Sequence, residues 1–384
     1  MKSFLKTVLL FLVILVSQTT NAQVDTSHKI SPLTFEASYV GDVVNNFSGG
    51  IKKGSAYLGM ANFKILLNTK DAGLWSGGEL LINGANTHGG TPSASLSGDF
   101  QVASNLEAGN LTYLHEFYYK QNAGNFTFIA GLQDLCSEFV SSENAGLFLN
   151  SSFGVHSSIS SNLPVPIFPL TSLGMQIHYH FSEKLTAKIA IFDGLPDDFE
   201  INPHNISWRL SGDDGYLLFT EISLNNLIKN SISTFKIGYY YHNSHKVAIS
   251  NENKTVSMPE NYGAYLVIDH QIVKKENGKE ISVFSQFSIS PKSINDNWYY
   301  AGLGCNYKGL FNKRCDDILG FAIAHAGFKN RIHSHETTLE MEYKAHINNK
   351  IFIQPGCQYI INPSGTDENL DNALLATLRI GLNF

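Results

Sequence analysis

Apolar and polar side chains alternate along short segments of this chain, and the pattern is clearest in residues 373–384. In that segment the apolar residues share one parity: Leu374, Ala376, Leu378, Ile380, Leu382 and Phe384. The residues of the other parity are polar or small: Thr377, Arg379, Gly381 and Asn383. A β-strand projects alternate side chains to opposite faces, so the pattern predicts a strand with one apolar and one polar face. Its length is the roughly ten residues that a tilted strand needs to cross a bilayer.

The same period of two recurs along the chain between groups of turn residues. It predicts about sixteen strands, near residues 33–43, 55–67, 74–83, 110–121, 125–133, 171–182, 184–193, 215–225, 232–242, 261–272, 280–290, 297–307, 317–326, 335–347, 350–361 and 372–384. Helical periodicity and helix-capping patterns do not compete with this alternation over any long stretch. The chain is therefore predicted to be all-β.

The predicted connections alternate between short and long. Tight turns are expected at residues 122–124, 182–184, 275–279 and 348–350, and long connections at 84–109, 134–170, 194–214 and 243–260. Transmembrane β-barrels have short periplasmic turns and longer extracellular loops, and an even strand number places both termini at the short-turn end. We therefore predict a single transmembrane antiparallel β-barrel with long extracellular loops. A secreted β-sandwich is the weaker alternative, because nothing would sort its loops by length.

Composition supports the membrane interpretation over a soluble one. The mean hydropathy of −0.08 would fit a soluble protein. Charged residues, however, make up only 16% of the chain and aromatic residues 12%, whereas soluble domains have about 25% charged residues. The net charge of −6 gives no reason to expect a nucleic-acid partner. The cysteines are too few and too scattered for a disulfide framework, although the second and third could meet across a hairpin: Cys136, Cys305, Cys315 and Cys357.

Both ends of the chain carry export features. Lys2 and Lys6 flank an apolar run that leads to small residues ending at Ala22, which is the order of a secretory signal peptide. We therefore expect residues 1–22 to be a signal peptide and residues 23–384 to form the barrel in the bacterial outer membrane, in contact with its lipid. The terminal Phe384 resembles the signal that the barrel-assembly machinery reads, so that machinery is an expected partner.

The charged residues of the predicted strands fall on the face opposite to the apolar one. In this register the inward residues are Glu36, Lys64, Glu79, Glu116, Lys120, Lys188, Glu221, Lys236, Asp269, Glu340, Glu342, Lys344 and Arg379. His115 is the exception, because its parity places it outward. A barrel of about sixteen strands is too wide for side chains to fill, so the polar interior predicts an aqueous channel.

Two long connections are candidates to narrow that channel. Residues 84–109 and 134–170 carry apolar and aromatic side chains, among them Phe139, Phe148 and Phe153. Long loops without their own structure are usually functional or disordered. Apolar side chains need burial and the barrel interior is the nearest place, so we expect both loops to fold inward as a constriction.

Several motifs in order resemble the carbohydrate-selective porins, the OprB-like sugar porins of the outer membrane. The resemblance rests on residues 73–80, 83–93, 105–108, 131–134, 137–139, 146–154, 167–169, 173–174, 194–197 and 354–363, which extend over most of the chain. It implies a sixteen-stranded porin through which small carbohydrates diffuse passively into the periplasm. Since the sequence also lacks catalytic motifs, we expect that the protein is not an enzyme and needs no cofactor.

Sugars present hydroxyl groups and apolar ring faces, so a passage for them needs amides, carboxylates and aromatic surfaces. The candidate lining residues are Trp75, Glu79, Asn83, Asn86, His88, Asp99, Gln101, Asn105, Glu107, Glu116, Tyr118, Asp134, Glu138 and Asn150. Neither loop contains an arginine, whereas phosphate-type solutes favour clustered Arg and Lys. Neutral or weakly cationic solutes are therefore expected.

Other interpretations stay open. The inward carboxylates could simply be solvated or pair with neighbouring cations, and the loop asparagines could only build turns. His178 and His180 lie two apart on one face, but no third ligand follows, so no metal site is expected. No hydrolase motif is present, yet a barrel hydrolase or a plugged surface-binding barrel is the alternative function. A monomer and a trimer are both compatible with the sequence.

Overall fold

The computed structural model describes residues 31–228, 231–249, 254–275, 278–363 and 370–384, so the expected signal peptide lies outside the described residues. Residues 32–384 form one compact unit. Its strands are β1 (Leu33–Ser48), β2 (Gly54–Asn68), β3 (Gly78–Gly89), β4 (Leu111–Ala123), β5 (Phe126–Gln133), β6 (Ser172–His180), β7 (Leu185–Asp193), β8 (Tyr216–Asn225), β9 (Ser233–His242), β10 (His245–Ile249), β11 (Lys254–Met258), β12 (Asn261–Lys274), β13 (Glu280–Ile289), β14 (Asn297–Lys308), β15 (Ile318–Phe328), β16 (His335–His346), β17 (Ile351–Ile361) and β18 (Ala373–Asn383).

Sixteen of these strands close into one antiparallel barrel, which confirms the predicted fold. Each strand pairs with its neighbours along the chain, and β1 pairs with β18 to close the sheet. Strands β10 and β11 form a separate hairpin, so β9 pairs directly with β12. Among the described residues, none belongs to a helix of the length and apolarity that a membrane span requires.

The side-chain alternation predicts the two faces of the wall correctly. In β18, Leu375, Thr377 and Arg379 are buried, whereas Leu374 and Ile380 are exposed on the outer face. Charged residues meet across neighbouring strands on the inner face, for example Asp42 opposite Arg379 and Lys188 opposite Glu221. The barrel therefore has an apolar outside and a polar inside.

Two strand predictions are wrong in informative ways. Strand β3 runs to Gly89, because residues 84–89 continue to pair with β2 and β4; the first long connection therefore begins at residue 90. His115 is not outward. It lies in a register shift opposite Asn83 and Gly84, and the extra residue of a β-bulge reverses the parity. His115 is buried, with Nε2 3.4 Å from a carboxylate oxygen of Asp134.

The connections sort by barrel end. The long connections 90–110, 134–171, 194–215 and 243–260 leave from one end, and the short turns lie at the other, together with the start of β1 and the end of β18. All four cysteines are free, so the conceivable bond between Cys305 and Cys315 is not formed.

Candidate functional site

The first loop (residues 90–110) contains a short helical turn, Ser93–Ser97, that two carboxylates stabilise. The Glu107 carboxylate accepts the backbone N–H of Ser93 at 2.9 Å, and the Ser97 hydroxyl donates to Asp99. Burial raises the pKa of both carboxyl groups above their ordinary values. Glu107 and Asp99 therefore hold the conformation of the loop itself.

One inner-wall carboxylate fixes the middle of the first loop. Glu336, on β16, accepts the backbone N–H groups of Phe100 at 2.7 Å and Gln101 at 3.0 Å. The Gln101 side-chain amide donates to the same carboxylate at 3.2 Å. Hydrogen bonds to an ionised acceptor are stronger than neutral ones, so Glu336 is a firm attachment point.

The far end of the first loop is fixed by an ion pair between the last and first strands. Arg379 donates to both carboxylate oxygens of Asp42, at 2.7 and 2.8 Å, and to the side-chain oxygen of Asn105 at 2.7 Å. Ser104 donates to Asp42 at 2.7 Å. Arg379 and Asp42 are buried but Asn105 is exposed, so an amide is presented beside a guanidinium.

The second loop (residues 134–171) begins at Asp134, which caps the turn Leu135–Ser137 by accepting the N–H of Cys136 at 2.8 Å. Glu138 follows, and its carboxylate lies 3.8 Å from the amino groups of both Lys120 and Lys188. Its side chain is about a quarter exposed. This part of the inner surface therefore combines one carboxylate with two ammonium groups.

Inner-wall side chains then hold the backbone of the second loop along its length. Glu340 accepts the N–H groups of Leu149 at 2.5 Å and Asn150 at 3.2 Å, the same arrangement that Glu336 makes with the first loop. Two further carboxylates accept loop N–H groups: Glu221 from Val140 and Asp269 from Asn144. Three other side chains donate to loop carbonyls: Lys236 to Ser141, Gln354 to Leu147 and Gln286 to Phe153. The wall thus supplies partners for backbone groups that no strand or helix satisfies.

Apolar side chains of the second loop pack against inward aromatic residues of the wall. Phe148 and Phe153 lie against Phe284 of β13, with ring centroids 5.6 and 5.7 Å away. Gly320 allows this approach, since an added Cβ would lie 2.4 Å from Leu147. A second cluster joins loop residues Leu135, Phe139, Val155 and Ile159 to wall residues Phe192, Phe219, Tyr240 and Tyr265.

His156, three residues after Phe153 in the second loop, stacks on Tyr300 with ring centroids 5.0 Å apart. Its ring is fully buried. Burial lowers the pKa of the imidazole to about 3, so the ring is neutral at ordinary pH.

The two loops also bind each other. The N–H of Asn105 donates to the carbonyl of Leu149 at 2.8 Å, and the N–H of Ser151 donates to that of Val102 at 2.9 Å. These bonds lie beside two contacts with the wall, those of Asn150 with Glu340 and of Asn105 with Arg379. The loops therefore form one connected unit against the wall.

The structure does not bring all the candidate lining residues together. Trp75 lies in the β2–β3 turn at the opposite barrel end, where its indole N–H donates to Tyr119 at 2.6 Å. Asn86 and His88 belong to the outward parity of β3, and His88 stacks on the outward Tyr39. The sequence pattern places residues 84–89 in a connection, and a connection has no inward and outward parity, so the outward position of Asn86 and His88 is not predicted from it.

The other candidates divide into holding residues and inward wall residues. Asp99, Glu107, Asp134 and Asn150 fix turns of the two loops, and Gln101 bonds to Glu336. The inward wall carries Glu79, Asn83, Glu116 and Tyr118, with Asn83 donating to Glu116 at 3.1 Å. Asn105 and Glu138 remain as partly or fully exposed loop side chains next to cations.

Sequence reasoning missed the main holding residues. Glu336, Gln286 and Gln354 are not among the sequence candidates, and Glu340 is predicted only as an inward strand charge. The available signal was the repeat of Glu336, Glu340 and Glu342 on one face of β16, because carboxylates that a loop buries need hydrogen-bond donors from that loop. In the parts of the chain that the structure describes, no group of three or more His, Cys, Asp or Glu side chains could hold a metal ion.

A closed sixteen-stranded barrel with two loops bound to its inner wall defines the porin class. Within that class the chain belongs to a family: its residues 52–384 match the model of the carbohydrate-selective porin, OprB family. The family and the barrel place the protein in the bacterial outer membrane. This confirms both the resemblance and the expected location.

The relatives agree at low sequence identity. The chain is 23% identical to Porin B of Pseudomonas aeruginosa over 252 residues, which cover 56% of this chain and 55% of that protein. It is 22% identical to the "Putative porin QuiX" of Acinetobacter baylyi over 274 residues, 59% of this chain and 57% of that one. The match therefore spans little more than half the length of these relatives.

A solved structure shows the same fold over nearly the whole length. The high-pH structure of Pseudomonas putida OprB superposes with a TM-score of 0.80 at 21% identity, covering 92% of this chain and 94% of that one. The low-pH structure of the same protein gives 0.59 at 17% identity, with 92% and 93% coverage. At these identities the comparison supports the fold.

Proposed function

We propose that this protein lets small neutral sugars diffuse passively across the outer membrane into the periplasm, without catalysis. The single observation that carries the proposal is the charge pairing beside the exposed loop side chains. Asn105 lies beside the Arg379–Asp42 pair, and Glu138 lies between Lys120 and Lys188. Cations and anions within 4 Å of each other cancel much of their field at a distance. They still offer donors and acceptors to hydroxyl groups.

This lining discriminates less by charge than by hydrogen bonding. A sugar can accept from lysine ammonium groups, and donate to the Asn105 amide or the Glu138 carboxylate. Among the candidate residues, Asn105, Glu138, Glu79 and Tyr118 are those we assign to the lining. Asn83, Asp99, Gln101, Glu107, Glu116, Asp134 and Asn150 are assigned to holding the loops and the wall.

Solute uptake into proteoliposomes tests the proposal. Purified protein would be compared with empty vesicles for a neutral hexose, its sugar acid, its amino sugar and its phosphate ester, all of similar size. We expect the neutral hexose to enter fastest and the phosphate ester slowest. Faster entry of the ester than of the hexose would contradict the assignment of neutral solutes.

Conductance in planar bilayers separates the alternative of a plugged barrel. A plugged surface-binding barrel would pass neither salt nor sugar, although it could still bind a carbohydrate. We expect discrete single-channel openings in potassium chloride that a neutral sugar reduces. A purified, heat-modifiable barrel without any conductance would reject the diffusion function.

A further inference from the structure

Part of the barrel wall beside β4 is not formed by a strand. Strand β5 is only eight residues long, and its pairing with β4 ends at Phe117 opposite Leu132. Beyond β5 the chain leaves the wall as the second loop and returns in β6 at Ser172. Within the described residues, no strand pairs with Leu111–Glu116 on that side of β4.

The β7–β8 connection (residues 194–215) fills this position from outside. The N–H of Leu114 donates to the carbonyl of His204 at 2.9 Å, and the His204 imidazole bonds to the carbonyl of Thr112 at 2.7 Å. Asn205 donates to the Thr171 hydroxyl at 3.0 Å and to the carbonyl of Leu114 at 3.3 Å. The connection thus takes over the edge of β4 that β5 leaves open.

The outward side of this connection is apolar. Ile201, Ile206 and Leu210 are 71%, 63% and 70% exposed. Trp208 stacks on Phe117 of the outer barrel face, with ring centroids 6.1 Å apart. This apolar surface is continuous with the outer face of the strands. Large apolar side chains exposed together on a loop mark an interaction surface.

Several backbone groups of residues 201–207 are bonded within the protein. The Asn202 side chain accepts from the N–H groups of Ile206 and Ser207, at 3.2 and 3.3 Å, and donates to the carbonyl of Ser207 at 2.7 Å. The Trp208 indole donates to the carbonyl of Asn205 at 3.0 Å. A water-exposed loop does not need this, but backbone next to lipid must pair its polar groups within the protein.

A groove of about 430 Å³ lies between the connection and the outer face of β2–β4. Its apolar part is lined by Ala61, Phe63, Gly84, Leu114 and Ile206, and its polar part by Asn86, Thr112 and His204. The same connection also carries an ion pair between Arg209 and Asp197, 3.3 Å apart.

We propose that the exposed apolar side chains of this connection, Ile201, Ile206, Trp208 and Leu210, are a lipid-facing part of the barrel wall, and that the groove takes an acyl chain of an outer-leaflet lipid. The apolar lining suits the chain, and Asn86, Thr112 and His204 suit the start of the polar headgroup. The proposal depends on the outer-membrane location and not on sugar passage.

Spin-label accessibility tests the wall assignment. With the four native cysteines replaced by serine, a label would be placed at Ile206→Cys, at the outward strand position Ile191→Cys and at the exposed loop position Asp198→Cys. We expect the label at position 206 to match that at 191, with an oxygen-to-nickel collision ratio at least about five-fold above that at 198, because a hydrated nickel chelate is excluded from hydrocarbon. Heat-modifiable gel mobility would verify that each variant is folded.

Two other results would overturn the assignment. A label at position 206 that nickel reaches as readily as the one at 198 means that the connection is in water. A label shielded from both oxygen and nickel means that a second copy of the chain or another protein covers the surface.

Filling the groove tests the acyl-chain site. A Cβ added at Gly84 meets no atom within 4 Å, so Gly84→Leu occupies the groove without disturbing the wall. Native mass spectrometry after mild detergent extraction would give the fraction of molecules that retain a lipid. We expect this fraction to fall at least two-fold, and to stay unchanged in Gly212→Leu, a control on the same connection that also has open space. Unchanged retention in Gly84→Leu rejects the groove as the site.

Discussion

The two inner loops are attached to the wall in different ways. The first loop has its own helical turn, stabilised by Glu107 and Asp99, and its polar anchors to the wall are concentrated near Glu336 and the Arg379–Asp42 pair. The second loop is bonded to at least six inward side chains and buries two apolar clusters. The first loop is thus held at points, and the second is held along its length.

This difference determines which substitutions each loop should tolerate. Removing one anchor of the first loop frees a large fraction of its attachment, whereas the second loop keeps most of its contacts after any single polar loss. Only loss of its buried aromatic residues should detach a long part of the second loop.

Phe148→Ala gives the largest expected effect. Phe148 is buried against Phe153 and Phe284, and truncation of such a residue costs about 3–5 kcal/mol. We expect denaturant unfolding in detergent to show this loss together with new protease sites between residues 140 and 155. The exposed Leu74, at the short-turn end, provides a control, because Leu74→Ala should change stability by less than about 0.5 kcal/mol. Equal losses in both variants would show that the second loop does not contribute to stability.

Glu336→Gln and Glu340→Gln compare the two modes of attachment directly. Each carboxylate accepts two consecutive backbone N–H groups, and a hydrogen bond to a charged group contributes about 1.5–3 kcal/mol. An amide keeps the shape but accepts at one atom only. We expect both variants to raise single-channel conductance, Glu336→Gln more than Glu340→Gln because the first loop has fewer anchors.

Glu342→Gln is the matched control for this comparison. Glu342 lies on the same face of β16 and accepts from the Gln354 side chain, with no loop N–H among its described contacts. Its conductance should rise less than that of Glu336→Gln or Glu340→Gln, because Glu342 reaches the second loop only through Gln354. A rise as large as that of Glu336→Gln would mean that charge alone, and not loop attachment, sets the conductance.

The first loop should also be more stable in acid. Burial raises the pKa of Asp99 and Glu107 above their ordinary values of 3.8 and 4.5. The folded loop therefore binds these protons more tightly than the unfolded loop, so this stability is complete below about pH 4 and is lost as the pH rises through the raised pKa values.

Hydrogen exchange corrected for the intrinsic rate measures this effect. We expect greater protection of the amides of residues 93–99 at pH 4 than at pH 7, and a weaker pH dependence in Asp99→Asn, whose amide cannot ionise. Protection that increases with pH in the unchanged protein contradicts the prediction.

Local pattern predicted the barrel well because a period of two is visible within a single strand. It failed where the structure depends on a neighbouring strand. Residues 84–89 are rich in Gly and Asn, yet β2 and β4 extend them as strand. One extra residue at His115 reversed a parity that sequence alone could not correct.

The site was less predictable than the fold, because it depends on contacts between distant segments. Glu336 and the residues that it holds are separated by about 235 positions, and no spacing rule connects a strand carboxylate to a loop N–H. Sequence did place Asn105 and Glu138 in the correct loops, because polar residues in long connections are good candidates for function. Which of them is exposed followed only from the packing.

Asn105→Ala gives the smallest expected effect and separates lining from holding. The Asn105 side chain is exposed and bonded to Arg379, but the loop stays attached here because the backbone N–H of Asn105 bonds to Leu149 and Ser104 bonds to Asp42. We therefore expect salt conductance to change little, while entry of a neutral hexose into proteoliposomes changes because a donor and an acceptor for hydroxyl groups are lost. If conductance instead rises as in Glu336→Gln, Asn105 is a holding residue, and the exposed amide has no part in the passage of sugar.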